Sequence, residues 1–248
     1  MITLKSQREI ELMRDAGRMA AQALELVGNT VRAGITTGEL DTAARQFILR
    51  NGAEPSFLGY HGYPAAVCVS VNDEVVHGIP GDRVLKSGDI VSVDLGVKYK
   101  GYHADNARTF AVGQISEEAK MLIKVTEQCF FDGMEAFVEG RRLSSISAAV
   151  QLAAESAGFS VVRELVGHGI GRDLHEEPNV PNFVNGSRGP RLRSGMVLCI
   201  EPMINQGLKE TVTMPDGWTV RTKDGSLSAH YEHTVALTKN GPLILTQA

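Results

Sequence analysis

The chain has 248 residues, of which 22% are charged and 43% hydrophobic, and its formal net charge at pH 7 is −4. These values are typical of a globular protein with a sizeable core, and they exclude a disordered or membrane-embedded chain. Because no run of basic residues occurs, the sequence offers no face for nucleic acid and no anchor for anionic lipid. Three scattered cysteines and a first segment without an apolar leader predict a cytoplasmic protein whose thiols stay reduced.

Four helices are predicted, and capping boxes mark the first two. The string SQRE at 6–9 opens a helix over residues 7–27, and TTGE at 36–39 opens a second one. In both, apolar residues then recur at helical spacing, which predicts one buried face. The two remaining helices are predicted over 117–138 and 144–157.

Six β-rich runs lie between and after these helix pairs, at 66–71, 89–97, 102–112, 160–165, 196–204 and 229–238. The string LKSGDIVSVD at 85–94 reappears as LRSGMVLCIE at 192–201, with a constant offset of 107. This repeat predicts a single catalytic domain over 1–248, built from two related αβ halves at roughly 7–112 and 116–240. A chance match between two common turn-plus-strand strings is the alternative.

Carboxylates interrupt the apolar strands at four points. Asp94 and Asp105 flank a predicted turn at 97–101, and a hairpin centred there would place them directly opposite each other, where like charges repel. Glu201 ends the repeated strand, and Glu232 lies inside another β-rich run. One protonated Asp, or exposed carboxylates paired with Lys or Arg, would also relieve the repulsion. Two divalent cations balance all four charges, and the apolar flanks favour this solution.

His168, in the string GHGIG, is a candidate fifth ligand, although a single histidine among glycines is also common as a structural residue. Four carboxylates and one imidazole favour Mn²⁺, Fe²⁺ or Co²⁺ over a thiolate-rich structural zinc site. Two such ions can share and activate a water molecule, which predicts metal-assisted hydrolysis of an amide or ester. No G-x-S-x-G, H-E-x-x-H or P-loop string occurs, so serine hydrolase, zincin and nucleotide-binding functions are not supported.

Five strings, in this order, resemble those of the type I methionine aminopeptidase family: SVDLG, HADNARTF, GHGIGRDLHEEP, IEPM and YEHT. The resemblance covers essentially the whole chain. It implies an α+β pita-bread (creatinase/aminopeptidase-like) fold, with two pseudo-symmetric halves and a central antiparallel sheet backed by helices. It also implies removal of the initiator methionine from nascent chains with a small second residue, through attack of a metal-bridging water on the peptide carbonyl.

The resemblance assigns metal and catalytic roles. Two divalent ions, drawn from Co, Mn, Fe, Zn and Ni, would be held by Asp94, Asp105, His168, Glu201 and Glu232. Asp105 and Glu232 would bridge both ions. Glu201 would also shuttle a proton, while His77 and His175 would contact the scissile amide and the developing oxyanion.

The resemblance also assigns binding sites outside the metal ligands. Besides His77 and His175, the substrate would lie against Tyr60, Tyr63, Cys68 and Trp218, which form the methionine pocket. A monovalent cation, Na⁺ or K⁺, is implied at Asn72, Glu74 and Ser228.

Three residues depart from the pattern of better-known bacterial relatives. Phe57 and Leu174 replace Cys and Phe at the pocket rim, so we expect the rim to be reshaped. His230 replaces Gln two residues before Glu232, where it is a candidate to bias metal choice. The expected partners are nascent polypeptide N-termini and the ribosome near its exit tunnel, with no nucleic-acid or membrane partner. The chain is expected to be a monomer.

Two other functions stay open. An Xaa-Pro peptidase of the same fold would share the ligand set, although such enzymes usually carry a separate N-terminal domain that a first helix at residue 7 does not leave room for. A non-enzymatic protein-binding relative would keep the fold alone, although such relatives typically lose metal ligands and all five are present here.

Overall fold

The computed structural model describes residues 2–247 and confirms all four predicted helices. Ser6 and Thr36 each accept a hydrogen bond from the N–H three residues later, and the Glu at that position bonds back, so both capping boxes form. The helices are α1 Gln7–Thr30, α2 Thr37–Arg50, α3 Glu117–Glu135 and α4 Ser144–Ser156, with a 3₁₀ turn at Tyr60–Gly62. No helix in the described part of the chain has both the length and the apolar character needed to traverse a bilayer.

Fifteen strands occur in residues 2–247, and many are too short to leave a pattern in the sequence. They are β1 Glu54–Pro55, β2 Cys68–Val71, β3 Glu74–Val76, β4 Ile90–Tyr99, β5 Tyr102–Ala111, β6 Ser160–Val161, β7 Gly167–Gly169, β8 Glu176–Val180, β9 Val197–Ile200, β10 Met203–Asn205, β11 Thr211–Thr213, β12 Val220–Thr222, β13 Ser228–His230, β14 Glu232–Thr238 and β15 Gly241–Ile244. Each predicted run contains a strand. Seven strands lie outside every predicted run, namely β1, β3, β7, β8, β11, β12 and β15.

A nine-stranded antiparallel sheet joins the two halves of the chain. Its hydrogen-bonded order is β1-β4-β5-β14-β9-β7-β8, with β2 beside β4 and β15 beside β14. The halves meet at β5 and β14, where Glu232 pairs with Ala107 and His233 with Asn106. Two three-stranded sheets, β13-β10-β6 and β11-β12-β3, complete the structure. Helix α1 packs on β4 and β5, and α3 packs on β13 and β9.

The β4–β5 hairpin turns one residue later than the sequence suggested. Tyr99 pairs with Tyr102, so the connection is the two-residue turn Lys100-Gly101. Both turn residues have positive φ, 50° and 80°, as in the tight turns that match the twist of paired strands.

This register corrects the predicted pairing of the two hairpin carboxylates. Asp94 lies opposite Ala107, and Asp105 lies opposite Gly96, so the carboxylates do not face each other directly. Moving the centre of a hairpin by one residue moves each partner by two positions. Because side chains alternate with a period of two, both carboxylates stay on the same face as diagonal neighbours.

Two predicted strands break beside an acidic residue. The run at 196–204 breaks at Glu201-Pro202, where proline has no N–H to add to a ladder, and β10 then joins another sheet. The run at 229–238 breaks at Tyr231, whose N–H donates to the carbonyl of Pro202 at 3.2 Å. These breaks free Glu201 and Glu232 from regular strand pairing on one side. The run at 160–165 yields only the two residues of β6.

The apolar core divides into two main clusters. One lies between α1, α2 and the strands of the first half, and the other between α3, α4 and the strands of the second half. Phe130 of α3 is fully buried in the second cluster, with its ring centroid 5.4 Å from that of Tyr231 and 5.0 Å from that of His233. It therefore supports the strand that carries Glu232 from behind.

We expect Phe130→Ala to lower the free energy of unfolding by about 3–5 kcal/mol, because it leaves a cavity in a closed part of the core. Leu152→Ala is the matched control, since Leu152 on α4 is 70% exposed, and it should change stability by less than about 0.5 kcal/mol. Urea denaturation of the two variants measures the difference. Equal destabilisation by both would show that Phe130 is not a core residue.

Candidate metal centre

A cavity of about 300 Å³ lies where strands from both halves meet. It is lined by every residue predicted to bind divalent metal, to bind substrate or to take part in catalysis: Tyr60, Tyr63, Cys68, His77, Asp94, Asp105, His168, His175, Glu201, Trp218 and Glu232. The fold therefore gathers these side chains from segments scattered along most of the sequence.

Five adjacent strands of the large sheet each bring one predicted ligand to this cavity. In sheet order these are Asp94 on β4, Asp105 on β5, Glu232 at the start of β14, Glu201 directly after β9 and His168 on β7. The alternation of side chains along β4 explains why Asp94 faces the cavity. Val93 and Leu95 are fully buried in the core beneath the helices, so Asp94 between them points to the opposite face.

The imidazole of His168 lies among the carboxylates. Its Nε2 is 3.5 Å from Oε1 of Glu201 and 4.0 Å from Oδ2 of Asp105. Its Nδ1 lies 2.8 Å from the carbonyl oxygen of Gly169, which can only accept a hydrogen bond. The Nδ1 atom therefore carries the proton, and the lone pair of Nε2 faces the acidic side chains.

In the described part of the chain, no lysine or arginine pairs with the acidic side chains of this cavity. Asp105 is 3% exposed and Glu232 2% exposed, and no lysine or arginine is among the described residues that line the cavity. Three buried carboxylate oxygens lack any hydrogen-bond donor: Asp94 Oδ1, Glu201 Oε1 and Glu232 Oε1. Unpartnered carboxylate oxygens beside a neutral imidazole are a donor set that fits divalent metal ions.

Burial and mutual repulsion shift the acidities of the whole cluster. Burial raises the pKa of Asp94, Glu201 and Glu232 well above the usual range, and the neighbouring carboxylates raise it further. Burial also raises the pKa of Asp105, to about 7, although the N–H of Asn106 donates to it. Burial lowers the pKa of His168 to about 3, so this ring is neutral at pH 7.

Two further histidines stand at the mouth of the carboxylate cluster. His175 Nδ1 lies 2.7 Å from the hydroxyl of Tyr60, and its ring centroid is 4.2 Å from that of His168. Burial is the main cause that lowers the pKa of His175, and burial lowers that of His77 to about 4. His77 has a φ of 59°, an unusual backbone for a side chain of this size, so its position is set by the fold.

An apolar recess adjoins the two histidines. Tyr63 packs edge-on against Trp218, with ring centroids 5.1 Å apart, and its hydroxyl donates to the carbonyl of Gly78 at 2.9 Å. Phe57 and Leu174, which depart from the resemblance, also line the cavity and are 9% and 2% exposed. A recess lined by aromatic rings suits an unbranched thioether side chain, which is flexible and makes favourable contacts with such rings.

The residues of the predicted monovalent cation site lie outside this cavity lining. The N–H of Ser228 donates to the carbonyl of Asn72 at 2.9 Å, so these two residues are neighbours. The carboxylate of Glu74 is already used, because it accepts from the N–H of Val71 and pairs with Arg83 at 2.7 Å.

Sequence reasoning missed one donor beside the metal ligands, Cys199. The ligand atoms of Asp105, His168, Cys199 and Glu232 all lie within 4.8 Å of one another. Cys199 on β9 pairs with Thr234 on β14, and Thr234 lies two residues after Glu232. Because side chains alternate along a strand, Cys199 and Thr234 lie on the same face of the sheet as Glu232. Its position two residues before Glu201 was the signal in the sequence that could have identified Cys199 as a donor on the same face of the strand. The apolar liners Val76, Leu165 and Met203 had no such signal.

The start of the chain holds the loop that carries His175. Lys5, 7% exposed, forms an ion pair with Glu176, whose carboxylate also accepts from the N–H of Arg172 at 2.8 Å. The N–H of Lys5 donates to the carbonyl of Gly195 at 2.7 Å, which fixes the backbone of this residue. The charge of Lys5 thus closes the loop from Arg172 to Glu176 against the body of the protein.

A sheet that gathers carboxylates and an imidazole in a cavity with no lysine or arginine among its described lining residues is typical of a metal-dependent hydrolase. The chain belongs to metallopeptidase family M24, whose model matches residues 11–239. The family assignment agrees with the α+β pita-bread fold that the sequence predicted.

Similar proteins agree over the full length of the chain. The methionine aminopeptidase of Clostridium perfringens is 56% identical over 246 residues, covering 99% of both chains. The crystal structure of methionine aminopeptidase from Thermotoga maritima is 44% identical, covers 100% of both chains and has a TM-score of 0.98. Prolidase from Pyrococcus furiosus has a TM-score of 0.78 over 99% of this chain and 65% of its own, but at 24% identity this likeness shows the fold alone.

We expect Lys5→Met to lower kcat about ten- to a hundredfold with little change in KM, because the loop carrying His175 loses its anchor. Lys5→Arg should restore most of the rate, since it keeps the charge. Lys120→Met, which removes an exposed ion pair with Glu117, is the control and should leave both constants unchanged. Steady-state kinetics measure kcat and KM for each variant. A Lys5→Met variant with full kcat would exclude the anchoring role of Lys5.

The metal-free protein should lose stability as the pH rises. The raised pKa values mean that folded carboxyls keep protons that the unfolded chain, with values near 4, has released. Between about pH 4 and pH 7 the folded state binds more protons, so the free energy of unfolding falls with increasing pH. With EDTA present, we expect the melting temperature to fall by about 5 °C or more between pH 5 and pH 7.5. Saturating Co²⁺ should suppress this fall, and a flat EDTA profile would contradict the acidity assignment.

Proposed function

We propose that the chain is a methionine aminopeptidase, which removes methionine from the N-terminus of peptides by metal-dependent hydrolysis. One observation gives this function its main support. Five adjacent strands bring five candidate metal ligands together beside an apolar recess. Relatives named methionine aminopeptidase, 56% and 44% identical over 99–100% of the chain, support the choice of substrate.

Divalent ions would be held by Asp94, Asp105, His168, Glu201 and Glu232, and we take this set to bind two ions. The unpartnered oxygens of Asp94, Glu201 and Glu232 support this assignment. Bound ions would polarise the scissile carbonyl and supply an activated water. The ion is one of Co, Mn, Fe, Zn or Ni, all of which accept mixed carboxylate and imidazole ligands.

Glu201 moves the proton during hydrolysis. Its Oε1 faces His168 and has no hydrogen-bond donor among the described residues. A carboxylate in this state can accept a proton at neutral pH and deliver it to the departing amine.

His175 and His77 bind the reacting peptide group. The hydroxyl of Tyr60 can donate to Nδ1 of His175, which leaves Nε2 protonated and able to donate to the substrate carbonyl. Desolvation lowers the pKa of both rings, and a neutral imidazole offers one N–H donor. Donors held in place beside the developing oxyanion stabilise it without reorganisation.

The methionine side chain lies in the recess formed by Tyr60, Tyr63, Cys68 and Trp218. Phe57 and Leu174 narrow the same recess, since both line it and are almost fully buried. Sulfur in contact with aromatic rings gains about 0.3–1.5 kcal/mol, which favours methionine over a purely aliphatic side chain.

Several further properties belong to this proposal. The chain forms one catalytic domain, supported by the single sheet that both halves share. It acts as a monomer in the cytoplasm, on nascent chains near the ribosomal exit tunnel. Na⁺ or K⁺ binds near Asn72, Glu74 and Ser228, supported by the contact between Asn72 and Ser228. No observation favours Xaa-Pro cleavage or a purely protein-binding role.

The substrate assignment is tested with Met-Ala-Ser and Ala-Pro. We expect Met-Ala-Ser to be cleaved after methionine, and EDTA to abolish the activity, with recovery on addition of Co²⁺ or Mn²⁺. Glu201→Gln should lower kcat at least about a hundredfold, the usual contribution of a proton-transferring group. The control Glu164→Gln changes an exposed carboxylate and should be fully active. Release of alanine but not methionine would point to an Xaa-Pro peptidase instead.

A further inference from the structure

His230 is buried in the wall of the same cavity. It is 1% exposed, lies on β13 opposite Met203, and lines the cavity beside the carboxylates. Its backbone is fixed on both sides by one hydroxyl, because its N–H donates to Oγ1 of Thr109 and its carbonyl accepts from the same group, each at 2.9 Å. The backbone of His230 is therefore held in place in the wall of the cavity.

Neither ring nitrogen of His230 has a hydrogen-bond partner among residues 2–247. Other buried histidines do: His103 contacts Ser56, His168 contacts Gly169, and His233 contacts both Thr246 and Tyr231. Leaving a buried polar group unsatisfied destabilises a folded protein, so a buried imidazole without a partner favours a partner from outside the chain.

The position of His230 relative to Glu201 indicates what this partner is. Its Nε2 lies 3.9 Å from Oε2 of Glu201, too far for a hydrogen bond. Two donors that each bind one ion at about 2.1 Å lie roughly 3.0–4.2 Å apart for angles between 90° and 180°. The distance from His168 Nε2 to Oε1 of Glu201, 3.5 Å, falls in the same range.

We propose that His230 is a second imidazole donor of the metal centre, which binds the ion that Glu201 also holds. This inference rests on the proposed metal-dependent function. It gives the centre four carboxylates and two imidazoles, and it places those imidazoles on opposite oxygens of Glu201. Because imidazole raises affinity for Co²⁺ and Zn²⁺ more than for Mn²⁺, His230 increases the preference of the centre for Co²⁺ and Zn²⁺ over Mn²⁺.

Metal titration of the full-length, metal-free protein tests the selectivity. For His230→Gln we expect the dissociation constant of Co²⁺ to rise at least about tenfold, while that of Mn²⁺ rises less than about threefold. The control His61→Gln changes an exposed histidine at the same cavity and should shift neither constant. Equal weakening of both ions in His230→Gln, or no weakening of either, would overturn the inference.

A spectrum of the unmodified protein provides a readout that needs no variant. In the ¹H NMR spectrum of the Co²⁺-loaded protein, each coordinated imidazole contributes one strongly shifted, solvent-exchangeable N–H signal. We expect two such signals, one from His168 and one from His230. A single signal, with Co²⁺ bound, overturns the role of His230 and leaves the proposed function standing. Failure of the protein to bind any divalent ion would overturn both.

Discussion

Repulsion among four closely placed carboxylates is the constraint on which the rest of the structure depends. Asp94, Asp105, Glu201 and Glu232 meet in one cavity, and none of the described lining residues is a lysine or an arginine. Burial alone would hold protons on these groups at neutral pH, as the raised pKa values indicate. Divalent ions held by these carboxylates would replace those protons and would supply a Lewis acid at the same place.

The sheet order explains why neither half of the chain could build this centre alone. Two of the carboxylates come from the β4–β5 hairpin, and the other proposed ligands come from β14, β7 and the residue directly after β9 in the second half. The seam between β5 and β14 has only two paired positions, yet one of them is Glu232 itself. Support from behind the seam, such as the packing of Phe130 against His233, is therefore also support for the ligand geometry.

Much of the site could be predicted from sequence because charge inside an apolar strand is conspicuous. The first two helices were recognisable from their capping boxes, and Asp94 from its flanking valine and leucine. The hairpin register was predicted wrongly, since a lysine with positive φ in the turn Lys100-Gly101 has no clear signal. The error did not move either carboxylate to the other face, because a change of two positions preserves strand alternation. Two- and three-residue strands such as β7 were missed because so few residues form no pattern.

Crystals grown with Mn²⁺ and with Co²⁺ would test the central claim directly, through anomalous scattering at the edge of each metal. We expect strong peaks within about 2.0–2.3 Å of carboxylate oxygens from both halves and of Nε2 of His168, with the side chains otherwise placed as described. A cavity without anomalous density at saturating metal, with the four carboxylates joined by shared protons or turned apart, would contradict a charge balance based on divalent ions.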